Sequence, residues 1–168
     1  NHNDLNYRAA LYDFERARRQ AALQQTLARL RGESSELLMY DEIRKQLKVT
    51  GISERGVQEI PLAAIVGSVG RSTDYTRNFM PIQDSDEERW ARVKTAFLGN
   101  TGVPPIEVYQ IGDAYFVRDG NHRVSVARQL GMPTIEAYVT EVRTRVPLSA
   151  GEVKVPMMPR AKPSGIDT

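Results

Sequence analysis

The first thirty residues have the pattern of one long helix. Residues 4–30 contain no proline or glycine and are rich in Ala, Leu, Arg and Gln, which are good helix formers. Apolar side chains recur there at helical spacing in two lines, Tyr7, Leu11, Phe14, Ala17 and Ala21, then Leu23, Leu27 and Leu30. The pattern predicts a single helix from Asp4 to Leu30 that ends at Gly32.

A shorter helix is indicated after this segment. Asp41 to Leu47 places Ile43 and Leu47 on one side of a helix. Val49 to Gly56 is then interpreted as the linker into the domain that follows.

A third helix is predicted from its start signal. Ser85 and Glu88 have the spacing of a capping box, and the acids that follow Ser85 suit the positive end of a helix dipole. The helix is expected to reach about Leu98. Its core side chains are expected to be Trp90, Val93 and Phe97. Trp90 is therefore interpreted as a core residue and not as a platform for stacking a nucleobase.

Three stretches have the pattern of strands. Ile106 to Ile111 and Ala114 to Arg118 are separated by two residues, which is short enough for a tight hairpin. Thr134 to Val142 alternates apolar and polar side chains, the pattern of a half-buried strand. These elements predict an α+β fold, with a small mixed sheet, packed helices and an N-terminal helical extension.

Composition and the positions of the prolines suggest where the domain begins and ends. The chain of 168 residues is 40% hydrophobic and 26% charged, which suits one globular domain with appendages. We expect a helical extension over residues 1–50, the domain over 51–142 and a C-terminal arm over 143–168. The arm is assigned from the four prolines between Pro147 and Pro163.

Charge and hydropathy bear on where the protein is located and what it contacts. No apolar run approaches the ~18 to 20 residues of a membrane span, and the charged N-terminus has no signal-peptide core, so no membrane partner is expected. The absence of cysteine fits a reducing compartment and any other, so a cytoplasmic location is taken as the default. The formal net charge is +2, and its excess lies in the first fifty residues. The predicted first helix carries a cluster of arginines, Arg16, Arg18 and Arg19, which suits either contact with nucleic acid or a solvated helix face.

The most informative stretch joins the second hairpin strand to another helix. Val124, Ala127 and Leu130 have helical spacing, so a strand passes into a helix across Asp-Gly-Asn-His-Arg, residues 119–123. Glycine at position 120 can adopt a positive φ and bring the backbone close to a ligand, while Asp119 or Asn121 can cap the helix.

The start of that helix has the chemistry of an anion site. First-turn amides lack intrahelical partners, and they point where the imidazole of His122 and the guanidinium of Arg123 could converge on one phosphate. The alternative is an ordinary strand-ending turn whose His122 and Arg123 lie on a solvated helix start.

The junction, followed by Val-Ser-Val-Ala, resembles the second conserved box of the ParB/sulfiredoxin superfamily. Partition proteins of that superfamily have Gly-Glu-Arg-Arg there, sulfiredoxins have Gly-Cys-His-Arg, and its free-serine kinases have an Asp-Gly-His box that ends in Arg. Arg123 matches in all three. Residues 59–65 resemble the entering strand and turn of the ParB fold, and Arg71 stands where ParB proteins carry the arginine of their first box. The resemblance covers about half of the chain, residues 58–142.

The resemblance implies that the second box binds the phosphates of a nucleoside di- or triphosphate, with or without Mg²⁺. The implied phosphate-binding residues are Gly120, Asn121, His122, Arg123 and Arg71. Asp74 lies in a long loop, Gly67 to Arg77, where the free-serine kinases carry a catalytic glutamate. Asp119 is the second candidate for a catalytic carboxylate, and both acids could hold a Mg²⁺ ion that arrives with the nucleotide. A metal site of the protein's own is not expected, because the chain has two histidines and no cysteine.

Two departures limit what the resemblance implies. Asn121 occupies the position of the sulfiredoxin cysteine, and the sulfiredoxin reaction is excluded because it needs a thiolate. Residues 143–168 are too few and too rich in proline for the helix-turn-helix domain of partition proteins, so this chain alone is not expected to act as one. The sequence does not begin with methionine, which is compatible with a fragment.

Several functions therefore stay open at this stage. The leading hypothesis is a ParB-like module that binds a nucleotide and associates with DNA or RNA through its basic helix. The alternatives are an ATP- or ADP-dependent small-molecule kinase like the free-serine kinases, a nuclease, and a protein-interaction module. In the last case the N-terminal helix would bind another protein or a second copy of the chain.

Overall fold

The computed structural model describes residues 2–70, 73–99 and 102–148. These ranges contain four α-helices and six strands of one mixed sheet, and the predicted α+β class is confirmed. The helices are α1 (His2–Arg31), α2 (Tyr40–Leu47), α3 (Glu87–Leu98) and α4 (Asn121–Gln129). The strands are β1 (Leu38–Met39), β2 (Val49–Pro61), β3 (Ile65–Ser68), β4 (Ile106–Ile111), β5 (Ala114–Asp119) and β6 (Thr134–Thr144).

The sheet has the strand order β1-β3-β5-β4-β6-β2. β1 pairs with β3, β3 with β5 and β4 with β6 in parallel, while β4–β5 and β6–β2 are antiparallel. The β4–β5 pair is the predicted hairpin, closed where Ile111 faces Ala114. β5 lies inside the sheet, so residues 114–117 are all buried, and its end delivers the chain to the start of α4.

The prediction of a linker from Val49 to Gly56 is wrong. This stretch is the first half of β2, which pairs with β6 from Val49 opposite Thr144 to Pro61 opposite Thr134. β2 is an edge strand whose side chains are mostly exposed, so it has no apolar run to reveal it in the sequence. Backbone pairing with β6 holds it, and a register shift next to Gly56 accommodates that residue's positive φ.

Both faces of the sheet are covered, and α4 lies in the middle of the helical side. One face packs on α2 through Tyr40, Ile43 and Leu47. The other face contacts α4, whose Val124 and Ala127 join the main core cluster. The outer side of α4 packs with α1 and α3 in a third cluster of Phe14, Ala17, Ala21, Met80, Trp90 and Val126. The helix that begins with Asn121, His122 and Arg123 is therefore held between the sheet and two other helices.

Helix α1 is the long helix predicted from the sequence, and one of its faces packs on the domain. Small buried side chains, Ala10, Ala17 and Ala21, allow close approach to α3. Phe14 meets Trp90 edge-on, with ring centroids 5.6 Å apart. The second line of apolar residues is exposed: Leu23 is 58% exposed, Leu27 38% and Leu30 79%.

A buried ion pair fastens α1 to the rest of the molecule. Lys94 of α3 has a side chain only 6% exposed, and its Nζ lies 2.6 Å from Oδ2 of Asp13 in α1. The same Nζ donates a hydrogen bond to Oε1 of Gln129 in α4. Three helices thus meet at one ammonium group.

The capping box predicted at Ser85 is wrong. Residues 84–86 form a short 3₁₀ helix, and the N-cap residue of α3 is Asp86, which makes no capping bond with its side chain. The carboxylate of Asp86 instead lies beside His122 in the interior. The end of the helix at Leu98 is confirmed, as is the core position of Trp90, whose Nε1 donates a hydrogen bond to Ser125 Oγ at 2.8 Å.

No helix in the described ranges has both the length and the hydropathy needed to cross a lipid bilayer.

Candidate functional site

The turn between β5 and α4 depends on the glycine that the sequence singled out. Gly120 has φ 118° and ψ 25°, so the predicted positive φ is confirmed. A Cβ atom at this position would lie 2.5 Å from Cγ2 of Ile106, the first residue of β4. The glycine is thus required by the neighbouring strand and by the backbone conformation, whether or not a ligand approaches it.

The first turn of α4 has no side-chain cap. Gly120 is itself the N-cap residue, so the predicted capping by Asp119 or Asn121 is wrong. The Asn121 side chain is used elsewhere, because its Oδ1 accepts a hydrogen bond from Ser68 Oγ at 3.0 Å. The first intrahelical bond runs from the Val124 amide to the Gly120 carbonyl, which leaves the three preceding amides without an acceptor inside the helix. This end of the helix therefore attracts negative charge.

The imidazole of His122 is turned into the protein. Its side chain is 11% exposed, and Nε2 lies 3.3 Å from Oδ1 of Asp86. The ring also meets Tyr75 edge-on, at 5.8 Å between centroids. These contacts fix the position of the first turn of α4 from behind, and a direct contact of the imidazole with phosphate stays a prediction.

The guanidinium of Arg123 is also engaged within the chain. It donates hydrogen bonds to the carbonyl oxygens of Pro104 at 2.8 Å and Pro105 at 3.0 Å, and to Oδ2 of Asp119 at 3.0 Å. The side chain is 15% exposed. Arg123 thus ties the segment before β4 and the end of β5 to the first turn of α4. Its role as a phosphate ligand stays a prediction.

A surface pocket of about 230 Å³ opens at this turn. Its lining residues come from α3, the end of β5 and the start of α4, and they are Arg89, Val93, Arg118, Asp119, Gly120, Asn121, His122 and Arg123. Three guanidinium groups and one carboxylate give the pocket a net positive charge, to which the start of α4 adds. The structure therefore brings together Asp119 and four of the five predicted phosphate-binding residues.

Arg89 is the pocket residue that the sequence did not reveal. It is exposed, and within the described ranges it forms no ion pair with a carboxylate. Arg118 is 56% exposed, with its Nε 3.9 Å from Oε1 of Glu107. Helical spacing could have placed Arg89 one turn before Val93 on α3. This face of α3 is turned toward the start of α4 by tertiary packing. Sequence spacing gives no information about that packing.

The family model of the ParB N-terminal domain matches residues 46–152, which is more than half of the chain and includes every residue of this pocket. The chain belongs to the ParB N-terminal domain family. The resemblance inferred from the second box is thereby confirmed. Asn121, His122 and Arg123 belong to that box, and all three line the pocket.

Among solved structures, the chain is similar to sulfiredoxin from Arabidopsis thaliana. The identity is 21%, the similarity covers 53% of this chain and 89% of that one, and the TM-score is 0.41. The comparison with curated proteins gives no match.

The loop that carries Asp74 contacts the second box through Tyr75, the residue after Asp74. Tyr75 is fully buried against His122, so this part of the ParB-family domain backs the first turn of α4. Asp74 itself does not line the pocket, and its backbone carbonyl accepts a hydrogen bond from the Ile82 amide. Arg71, the fifth predicted phosphate ligand, lies outside the described residues.

The loop ends at a buried arginine. Arg77 is 6% exposed, and its Nε donates a hydrogen bond to the Glu36 carbonyl at 2.6 Å. Burial lowers the pKa of Arg77 from its ordinary value. This guanidinium therefore holds the loop to the segment after α1 and is not available to a ligand.

The arginine cluster of α1 is only partly available for nucleic acid. Arg18 pairs with Asp84, at 2.8 Å from Nε to Oδ1, and Arg16 lies 3.7 Å from Asp13. Arg19 is exposed. Contact of these residues with DNA or RNA stays a prediction, as does a protein partner for the exposed leucines of α1.

The described ranges contain no group of three His, Cys, Asp or Glu side chains that could hold a metal ion. Mg²⁺ carried in by a nucleotide stays a prediction.

Proposed function

We propose that this ParB-family chain is a nucleotide-binding module that takes the phosphates of its ligand into the pocket at the start of α4. One observation carries the proposal: the amides of residues 121–123, which have no acceptor inside the helix, lie at the same pocket as the exposed guanidinium of Arg89. Amide donors at a helix start and a guanidinium both favour phosphate oxygens. Charge-assisted hydrogen bonds of this kind contribute about 1.5 to 3 kcal/mol each before ordering costs.

The arginines of the pocket have different roles in this proposal. Arg89 and Arg118 are exposed and contact the phosphate oxygens. Arg123 already makes three hydrogen bonds, so its main task is to hold the turn that presents the amides. Removing Arg89 should then weaken binding while leaving the fold intact.

The size of the pocket suits phosphate groups more than a whole nucleotide. Its 230 Å³ fall below the roughly 300 to 1,000 Å³ of pockets that enclose most of a small ligand. We therefore place one or two phosphate groups inside and leave the nucleoside on the surface next to the pocket. Inorganic pyrophosphate should in that case compete with the nucleotide.

The experiment is calorimetric titration of the full chain with ATP, ADP, CTP and GTP, each with and without Mg²⁺. At least one nucleotide should give saturable heat that added pyrophosphate suppresses. Absence of heat with all four, under both conditions, would reject the nucleotide site.

Phosphoryl transfer is a second candidate, supported by the position of Asp119. Its side chain is 67% exposed at the pocket, where a carboxylate could orient a substrate hydroxyl or a Mg²⁺ ion. Asp119→Asn should then lower turnover by orders of magnitude. Asp74→Asn is the control for Asp119→Asn, because Asp74 does not line the pocket. If the wild-type protein transfers no phosphoryl group to water or to small hydroxyl compounds, the binding function stands without the enzyme.

A further inference from the structure

A second pocket lies at the other end of α4. It is an open cavity of about 320 Å³ between α4, α1 and the segment that precedes α3. Its lining residues are Gln20, Leu23, Gln24, Asn78, Met80 and Arg128. None of them lines the pocket at the start of α4, so the two cavities are separate sites on the same helix.

Arg128 supplies the only charge in this lining. Its Nε is fully buried and has no hydrogen-bond partner in the part of the chain that the structure describes, and no carboxylate there forms an ion pair with it. Burial lowers the pKa of Arg128, which means that the charged guanidinium is disfavoured where it stands. A partly buried cation without a counter-charge carries an uncompensated desolvation cost, and an anion in the pocket would offset that cost.

The other polar groups of the pocket are neutral. Gln20 and Gln24 lie one helical turn apart on α1, and Asn78 lines the same cavity, so three carboxamides offer N–H donors in the pocket that Arg128 also lines. One positive charge with neutral donors matches a single carboxylate better than a multiply charged phosphate. A guanidinium and a carboxylate also share the planar geometry for paired hydrogen bonds.

Leu23 and Met80 add an apolar wall to the pocket. They offer contact for a short aliphatic part next to the carboxylate. The cavity volume lies at the lower end of the range for small-molecule pockets, roughly 300 to 1,000 Å³.

We propose that this pocket binds a small organic carboxylate, with the carboxylate on the guanidinium of Arg128 and its aliphatic part against Leu23 and Met80. This site is separate from the proposed nucleotide site, because the two pockets share no lining residue and differ in charge.

The test compares butyrate, its neutral isostere butyramide, and methyl phosphate as probes, using backbone amide shifts of the full chain in solution. Butyrate should bind with Kd about 1 mM or tighter and shift the amides of residues 20–24 and 78–80. Butyramide and methyl phosphate should each bind at least about tenfold more weakly. Equal binding of butyrate and butyramide, or no shift of these amides by butyrate, would overturn the proposal.

Two variants separate a ligand site from a structural arginine. Arg128→Met removes the charge and keeps the length of the side chain, so the ligand-free protein should unfold at the same temperature or higher, while the butyrate-induced rise in Tm disappears. Gln24→Leu keeps Arg128 and should weaken butyrate binding several-fold. Arg92→Gln, at an exposed surface arginine, is the control and should leave butyrate binding unchanged. A lower Tm of ligand-free Arg128→Met together with unchanged butyrate binding by Gln24→Leu would overturn the assignment.

Discussion

Nη2 of Arg123 lies 3.0 Å from Oδ2 of Asp119, four residues earlier in the chain. The two residues that the sequence suggested for phosphate binding and for catalysis are thus bonded to each other. Arg123 also binds the carbonyl oxygens of Pro104 and Pro105, so one guanidinium joins the end of β5, the start of α4 and the segment before β4. This arrangement makes Arg123 a residue that holds the pocket at the start of α4 in shape.

Arg123→Ala should destabilise the protein far more than Asp119→Ala. The first change removes three hydrogen bonds and leaves two carbonyl oxygens without their donor, which we expect to cost about 2 to 3 kcal/mol of unfolding free energy. Asp119 is mostly exposed, and losing a surface ion pair costs about 1 kcal/mol or less. Urea unfolding followed by dichroism measures both values. Equal destabilisation by the two variants would contradict the clamping role of Arg123.

Gly120→Ala should be among the most damaging single-methyl additions in the chain. Its φ of 118° is strained for any residue with a Cβ, and that Cβ would meet Ile106. We expect a loss of about 3 kcal/mol or more in stability. Gly56→Ala is the matched control, because Gly56 also has a positive φ but a Cβ atom there would have no neighbour within 4 Å. Its cost should stay near about 1 to 2 kcal/mol. Similar unfolding midpoints for the two variants would show that contact with Ile106 does not matter.

Helix α1 should unfold together with the rest of the molecule. Asp13→Ala leaves the ammonium of Lys94 buried without its counter-charge, so we expect a loss of about 3 to 5 kcal/mol. Adding Lys94→Met to Asp13→Ala should recover much of that loss, since no unpaired charge is left. Arg16→Gln is the control, because the Arg16 side chain is 56% exposed and lies 3.7 Å from the same Asp13; it should cost less than about 1 kcal/mol. A separate early melting of α1, with the sheet unaffected by Asp13→Ala, would show that α1 is only an appendage.

The sequence predicts what local interactions decide. The β4–β5 hairpin, the extent of α1, the core position of Trp90 and the positive φ of Gly120 all depend on spacing or on one residue's backbone freedom, and all are found. The first half of β2 was missed because an edge strand needs a partner strand more than it needs apolar side chains. The capping box at Ser85 failed because tertiary contacts take precedence: the 3₁₀ turn leads into α3 while Asp86 faces His122.

The candidate site likewise has a part that the sequence predicts and a part that it does not. Residues 119–123 could be singled out because they are adjacent in sequence and combine a glycine with ionisable side chains. The contacts of Arg123 with Pro104 and Pro105 could not, because they join residues that are eighteen and nineteen positions apart through the packing of β4 against β5. Arg89 is missed for a related reason, since the face of α3 that it occupies is set by the contact with α4.

If α1 contacts DNA, Arg19 should be the residue that does so most directly. Arg16 and Arg18 pair with acids, whereas Arg19 is exposed. Affinity for a DNA duplex should then fall steeply with salt, and Arg19→Gln should reduce the slope of log K against log salt concentration by about 0.9. Fluorescence anisotropy over a range of salt concentrations gives that slope. Wild-type affinity that is independent of salt, or a slope that Arg19→Gln leaves unchanged, would count against a nucleic-acid surface on α1.

The proposed nucleotide site is tested by comparing the nucleotide affinity of Arg89→Gln with that of Arg92→Gln. Both arginines lie on α3 three residues apart, but Arg89 lines the pocket at the start of α4 and Arg92 pairs with Glu88 on the surface. Calorimetry should show roughly tenfold weaker nucleotide binding for Arg89→Gln, a loss of about 1.4 kcal/mol, and wild-type binding for Arg92→Gln. Equal affinities of the two variants would contradict the claim that nucleotide phosphates bind in this pocket.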